Sequence, residues 1–200
     1  MKPRVFFSCS LHENDYPFNA IIESIILRYG FEIRGGIGRY NFSPSPIPNQ
    51  MKHEMDMSEC LVLAGVGRYH QLNIHNQQKT MSMSETMHSE IGMAFQKGIP
   101  IIAFLAPNVS PGNLLPNITQ YINPILNNIS KQYYYDPYQI DNVIHSCLSI
   151  INENRKKTEN KELVDNLVKI GAVIGVSSIV LSLVNSEDNV QKNSKNNKSK

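Results

Sequence analysis

The residues best placed to do chemistry lie in Ser84-Glu-Thr-Met-His-Ser-Glu90-Ile-Gly-Met-Ala-Phe-Gln-Lys-Gly-Ile-Pro100. Met87, Ile91, Ala94 and Phe95 recur at helical spacing, and Lys97 with Gly98 closes the helix they predict. Glu90 sits one turn inside that helix, at the edge of its apolar stripe. Burial there raises a carboxyl's pKa and holds it in place. Such a carboxylate stabilises or attacks an oxocarbenium-like centre, the chemistry of glycoside cleavage. The plainer alternative is a solvated glutamate favoured by the helix dipole. Gly92 and Ala94 are small, which predicts close approach of another group to the helix backbone.

The elements that must position this glutamate are legible in the same way. Residues 4–10, 60–66 and 99–105 are short apolar runs rich in β-formers and read as buried strands. Phe18, Ile21, Ile22, Ile25, Ile26 and Tyr29 form the stripe of a helix over 16–29, ended by Gly30. Residues 31–33 read as a short strand and Met51 to Cys60 as a short helix. The prolines of 35–50 predict a loop with no helix. Gly67 to Thr80 reads as a long polar loop, and Ser82-Met-Ser-Glu85 has the spacing of a capping box. One short helix fits within 106–128, and Tyr133 to Tyr135 fit a final edge strand. Ile140, Val143, Ile144, Cys147, Leu148 and Ile151 give a last helical stripe.

Strands buried on both faces and joined by helices mean a parallel sheet in an α/β sandwich. Ligands of such folds bind at the carboxyl ends of the strands. That rule selects Ser8 to Ser10, Gly35 to Tyr40, Gly65 to Tyr69 and Leu105 to Asn108 without naming the ligand. Within them Ser8, Ser10, Gly36, Arg39 and Arg68 are the candidate contacts for the nucleotide that the resemblances below imply, the arginines as phosphate donors. Ser84 joins them at the start of the helix that carries Glu90. No metal site is expected, because His70, His75 and His88 share no helical face or acidic partner.

Two family resemblances attach to these residues. Val5-Phe6-Phe7-Ser8-Cys9-Ser10, Met57-Ser58-Glu59-Cys60-Leu61-Val62-Leu63, and Ser84 with Glu90 before Ile99-Pro100-Ile101-Ile102 resemble the Toll/interleukin-receptor (TIR) domains of prokaryotic nucleotide-binding type. The resemblance covers about residues 3–150. It implies a flavodoxin-like sandwich, with Glu90 at the position of the glutamate that breaks the nicotinamide–ribose bond of NAD. A role in stress or antiviral defence follows by the same analogy. Thr86 stands four residues before Glu90, where TIR enzymes often carry tryptophan, and the chain has no tryptophan. That departure leaves room for a non-catalytic module that signals by self-assembly. Glu90, Gly92 and Ala94 also match the Glu-x-Gly-x-Ala helix of nucleoside 2-deoxyribosyltransferases. That resemblance implies a glutamate nucleophile at an anomeric carbon. No cofactor is expected, with NAD entering as a substrate.

Composition sets the frame. The 200 residues carry a formal charge of +2, with 41% hydrophobic and 18% charged residues. This excludes a disordered chain, a collagen and a multispan membrane protein, and no concentrated basic face argues for nucleic acid. The three cysteines, Cys9, Cys60 and Cys147, have no zinc-site spacing. Buried free thiols in a reducing cytoplasm fit them, and the N-terminus lacks the pattern of a signal peptide. The expected organisation is a TIR-like domain over 1–151, a polar helix end or linker over 152–162, a hydrophobic helix over 163–185 and a disordered basic tail over 186–200. Residues 170–184 carry no charge, and Gly171 and Gly175 with Ser178 and Ser182 form a small-residue face. Three roles fit that helix: self-association into a homo-oligomer or core packing, a single membrane anchor, or an interfacial helix. The last ten residues hold four lysines and no acid.

Overall fold

A computed structural model describes residues 1–35, 46–72 and 79–174, with side chains described as far as Leu163. Gly36, Arg39, His75, residues 175–185 of the expected 163–185 helix and the 186–200 tail lie outside the described residues. The chain divides into two units, Met1–Asn152 and Glu153–Lys200.

In the first unit, β1 (Arg4–Ser8) leads through a short turn of helix to α1 (Tyr16–Arg28) and β2 (Glu32–Arg34). Helix α2 (Ile47–Asp56) then precedes β3 (Cys60–Gly65). A hairpin of β4 (Tyr69–Leu72) and β5 (Lys79–Ser82) follows, then α3 (Glu85–Lys97) and β6 (Ile101–Leu105). Short pieces come next: β7 (Val109–Ser110), α4 (Leu115–Ile118), β8 (Tyr121–Ile122), β9 (Ile125–Leu126) and β10 (Tyr133–Tyr134). The last element is α5 (Pro137–Ile174), whose exposed polar stretch includes residues 152–162.

The main sheet is β2-β1-β3-β6-β8 and every pairing in it is parallel. Counted along the chain, that is the 2-1-3-4-5 order of the flavodoxin-like fold, with its switch point between β1 and β3. A period of two sends alternate side chains to opposite faces. Val5, Phe7, Val62 and Phe104 pack under α1 and α5 with Ile22, Ile26, Ile144 and Cys147. Phe6, Leu61, Leu63 and Leu105 pack under α2 and α3 with Met55, Met87, Ile91 and Ala94. Cys60 and Cys147 are buried neighbours, Cys9 is half-buried, and no cysteine is in a disulfide. The hydrogen bond to Cys147, with burial second, pushes the Cys60 thiol well above its ordinary range.

Four expectations change. The proline-rich stretch ends in a helix after all: α2 starts at Ile47 with Pro48 in its first turn, where a missing N–H costs nothing. The 67–80 loop is a hairpin, pairing Tyr69 with Ser82 and Leu72 with Lys79, and β5 also pairs with β7 in parallel. The tyrosines at 133–134 pair antiparallel with β9 in a small exposed ribbon, and β8 supplies the edge of the main sheet. Finally, the helix cap is Ser84 rather than Ser82, which lies in β5.

In the second unit, α5 continues as helix to Ile174. Among the described residues, no helix is long and apolar enough to cross a membrane.

Candidate active site

Glu90 reaches its place by two periodicities. On α3 it lies three residues after Met87 and four before Ala94, so it shares the stripe those side chains bury. Along β1, Ser8 lies two residues after Phe6 and faces the same helix. The two meet: the Ser8 hydroxyl donates to Glu90 Oε2, although the residues are 82 apart in sequence. Glu90 is 8% exposed. Burial pushes its carboxyl up to about 7, against a smaller opposite pull from the Ser8 hydrogen bond. No arginine, lysine or histidine among the described residues contacts it, so desolvation dominates.

The start of α3 is fixed by Ser84, whose Oγ accepts the N–H of Met87 at 3.2 Å. At the other end, Gly98 takes a left-handed φ of 71° and closes the helix. The helix therefore presents its N-terminal turn, Ser84, Thr86 and Met87, to the same space as Glu90.

That space is a cavity of about 690 Å³. Phe7 to His12 line it from the end of β1, Arg68 from just beyond β3, and Ile47 and Met51 from α2. Ser84, Thr86, Met87 and Glu90 form the α3 wall. It opens at the carboxyl ends of β1 and β3, the switch point where ligands bind in this topology.

Ser10 is the most tied-down residue of the rim. Its Oγ accepts the His12 N–H at 3.0 Å and a hydrogen of Arg68 Nη2, and its carbonyl accepts Asn19 Nδ2 at 2.7 Å. The same Arg68 nitrogen pairs with Asp15 Oδ2 at 2.5 Å. Asn19 is fully buried and its Oδ1 has no partner among the described residues.

Of the residues singled out by sequence, Ser8, Ser10, Arg68, Ser84 and Glu90 come together in this one cavity. Gly36 and Arg39 lie outside the described residues. Arg34 pairs with Glu32 on the surface. His88 packs on Gly112, and His70 is exposed on β4. Gly92 does not mark a close approach: a Cβ added there meets nothing within 4 Å. Sequence reasoning missed Asp15, Asn19, His12 and the α2 wall. Asp15 and Asn19 sit among ordinary polar residues, and only the fold of the β1–α1 loop brings them to Ser10. Ile47 and Met51 had a signal, the apolar spacing of Ile47, Met51 and Met55, which the prolines obscured.

No protein-family model matches the sequence, and no curated protein matches it. The chain is similar to the solved structure of Clostridium botulinum CMP N-glycosidase, BcmB. The two are 19% identical over 64% of this chain and 92% of that one, with a TM-score of 0.39. A match of that extent carries no information on what this cavity binds or cleaves.

Proposed function

We propose that the protein cleaves the N-glycosidic bond of a nucleotide, with Glu90 as the catalytic carboxylate. The observation that carries this reading is the buried Glu90, held by Ser8 at the floor of the switch-point cavity, with its carboxyl raised to about 7. Breaking a C1′–N bond leaves positive charge on the sugar as the electron pair departs on the base. A carboxylate stripped of water attracts that charge far more strongly than a solvated one. Water then supplies the new C1′–O bond and the proton that the base takes up. The apolar wall of Ile47, Met51 and Met87 gives the base or sugar a dry surface to lie on.

The sequence resemblance to TIR enzymes names NAD as the first substrate to try and places the activity in stress or defence signalling. The resemblance to deoxyribosyltransferases names nucleosides. We also propose that the 163–185 segment brings copies of the catalytic unit together.

The test is release of free base from NAD, ribonucleosides, deoxynucleosides and their 5′-monophosphates, followed chromatographically for wild type and Glu90→Gln. Release from at least one substrate, lost in the variant, supports the reading. Equal release by both proteins removes Glu90 from the mechanism, and no release from any substrate overturns it.

A further inference from the structure

The rim residue Ser10 permits a full accounting of its hydroxyl. A serine Oγ has two lone pairs and one hydrogen. Both lone pairs are used, by the His12 N–H and by Arg68 Nη2. The hydrogen finds no acceptor among the described residues. Ser10 is buried against the protein yet lines the cavity. Its O–H is therefore left to donate to whatever fills that space.

Arg68 completes the set. Its Nη2 hydrogens go to Ser10 and Asp15, which fixes the guanidinium plane. Nε and both Nη1 hydrogens have no acceptor among the described residues, and the side chain lines the same cavity. Asp15 grips from one nitrogen only, so it orients the group without consuming its fork. The spare groups of Ser10 and Arg68 that line the cavity are all donors, with an arginine among them. A ribose hydroxyl, which needs an acceptor as well, suits such a cluster poorly. A phosphoryl group, with acceptor oxygens and negative charge, suits it well.

Distance then ties this cluster to the chemistry. Ser8 holds Glu90 and Ser10 holds Arg68, and two residues of chain span at most about 7 Å. That is the reach of one pentose with its exocyclic carbon. We infer that Ser10 and Arg68 bind the 5′-phosphoryl group of the ribosyl unit whose anomeric carbon meets Glu90. The inference rests on the N-glycosidase reading and narrows its substrates to 5′-phosphorylated ribosides, the free nucleosides being poor ones. Mononucleotides and dinucleotides share this group.

The probe is ribose 5-phosphate, titrated against ribose by calorimetry, because neither contains the scissile bond. Wild type is expected to bind ribose 5-phosphate at least tenfold more tightly than ribose. Arg68→Met removes that preference, and Ser10→Ala, which leaves the arginine in place, weakens it several-fold. Thermal melts show whether each variant is folded; Arg68→Lys replaces the methionine variant if that one is not. Equal binding of the two sugars, or undiminished preference in a folded Arg68 variant, overturns the inference. These readings do not depend on turnover. Absence of base release with the phosphate preference intact defeats the N-glycosidase reading alone. Equal kcat/KM for a nucleoside and its monophosphate defeats this inference alone.

Discussion

Glu90 carries two opposed demands, and both are measurable. The proposed cleavage needs the carboxylate, so on that reading kcat/KM should rise with pH and level off above about 7, where the free protein's carboxyl has ionised. Glu90→Gln should lose about 10²–10⁴-fold in kcat, the range of a positioned acid–base or charged group. Ser8→Ala removes the hydrogen bond that favours the charged form, so the acid limb of the profile should move to higher pH. Stability runs the other way. A carboxyl raised from 4.5 to about 7 on folding binds its proton more tightly in the native state. Its contribution is complete below 4.5 and is lost as pH rises through about 7, by up to about 3 kcal/mol. Folded Glu90→Gln should thus melt higher than wild type at pH 8, with the gap closing toward pH 4.5. A gap that widens on acidification would sink the account. Glu90 itself was legible because a carboxylate interrupting an apolar helical stripe is conspicuous in one dimension. Asp15 and Asn19 were not, since their partners are set by how the β1–α1 loop folds back.

The elements divide along a similar line. Strands buried on both faces leave unbroken apolar runs, so β1, β3 and β6 could be placed from sequence to within about two residues. The hairpin could not: all four residues of β4 are exposed, which leaves no alternation to see. Two glycines near the site, Gly92 on α3 and Gly67 just beyond β3, offer contrasting tests. Gly92 is helical with open space where a Cβ would go, so Gly92→Ala should raise stability by about 0.5–1 kcal/mol in denaturant melts and leave activity alone. Gly67, just before Arg68, is the opposite case. A Cβ there would lie 2.3 Å from the Cβ of Met81, an atom fixed to the β5 backbone. Gly67→Ala should cost about 1–3 kcal/mol and weaken phosphate binding, because the strand that must give way is hydrogen-bonded to the Arg68 N–H through Ser82.

On the scale of the whole chain, the average composition hides a division of labour. Every residue placed at the site lies in the unit Met1–Asn152. The α5 side chains that join the core, Ile140, Val143, Ile144, Cys147 and Ile151, also precede its end. The side chains of α5 from Glu153 to Leu163 are exposed or half-buried. A protein ending at Glu162 therefore keeps every described core residue and every described site residue. It should keep the wild-type kcat/KM on 5′-monophosphates and the same pH profile, assayed dilute enough for both proteins to be monomeric. What it loses is the charge-free run at 170–184 with its small-residue face. Light scattering should accordingly report a multiple of the 22.6 kDa chain mass for the full-length protein and a single copy for the shortened one. If catalysis depends on assembly, the full-length protein gains turnover as its concentration rises, and the shortened one stays at the dilute value. A shortened protein that keeps its oligomer assigns self-association to the α/β unit instead.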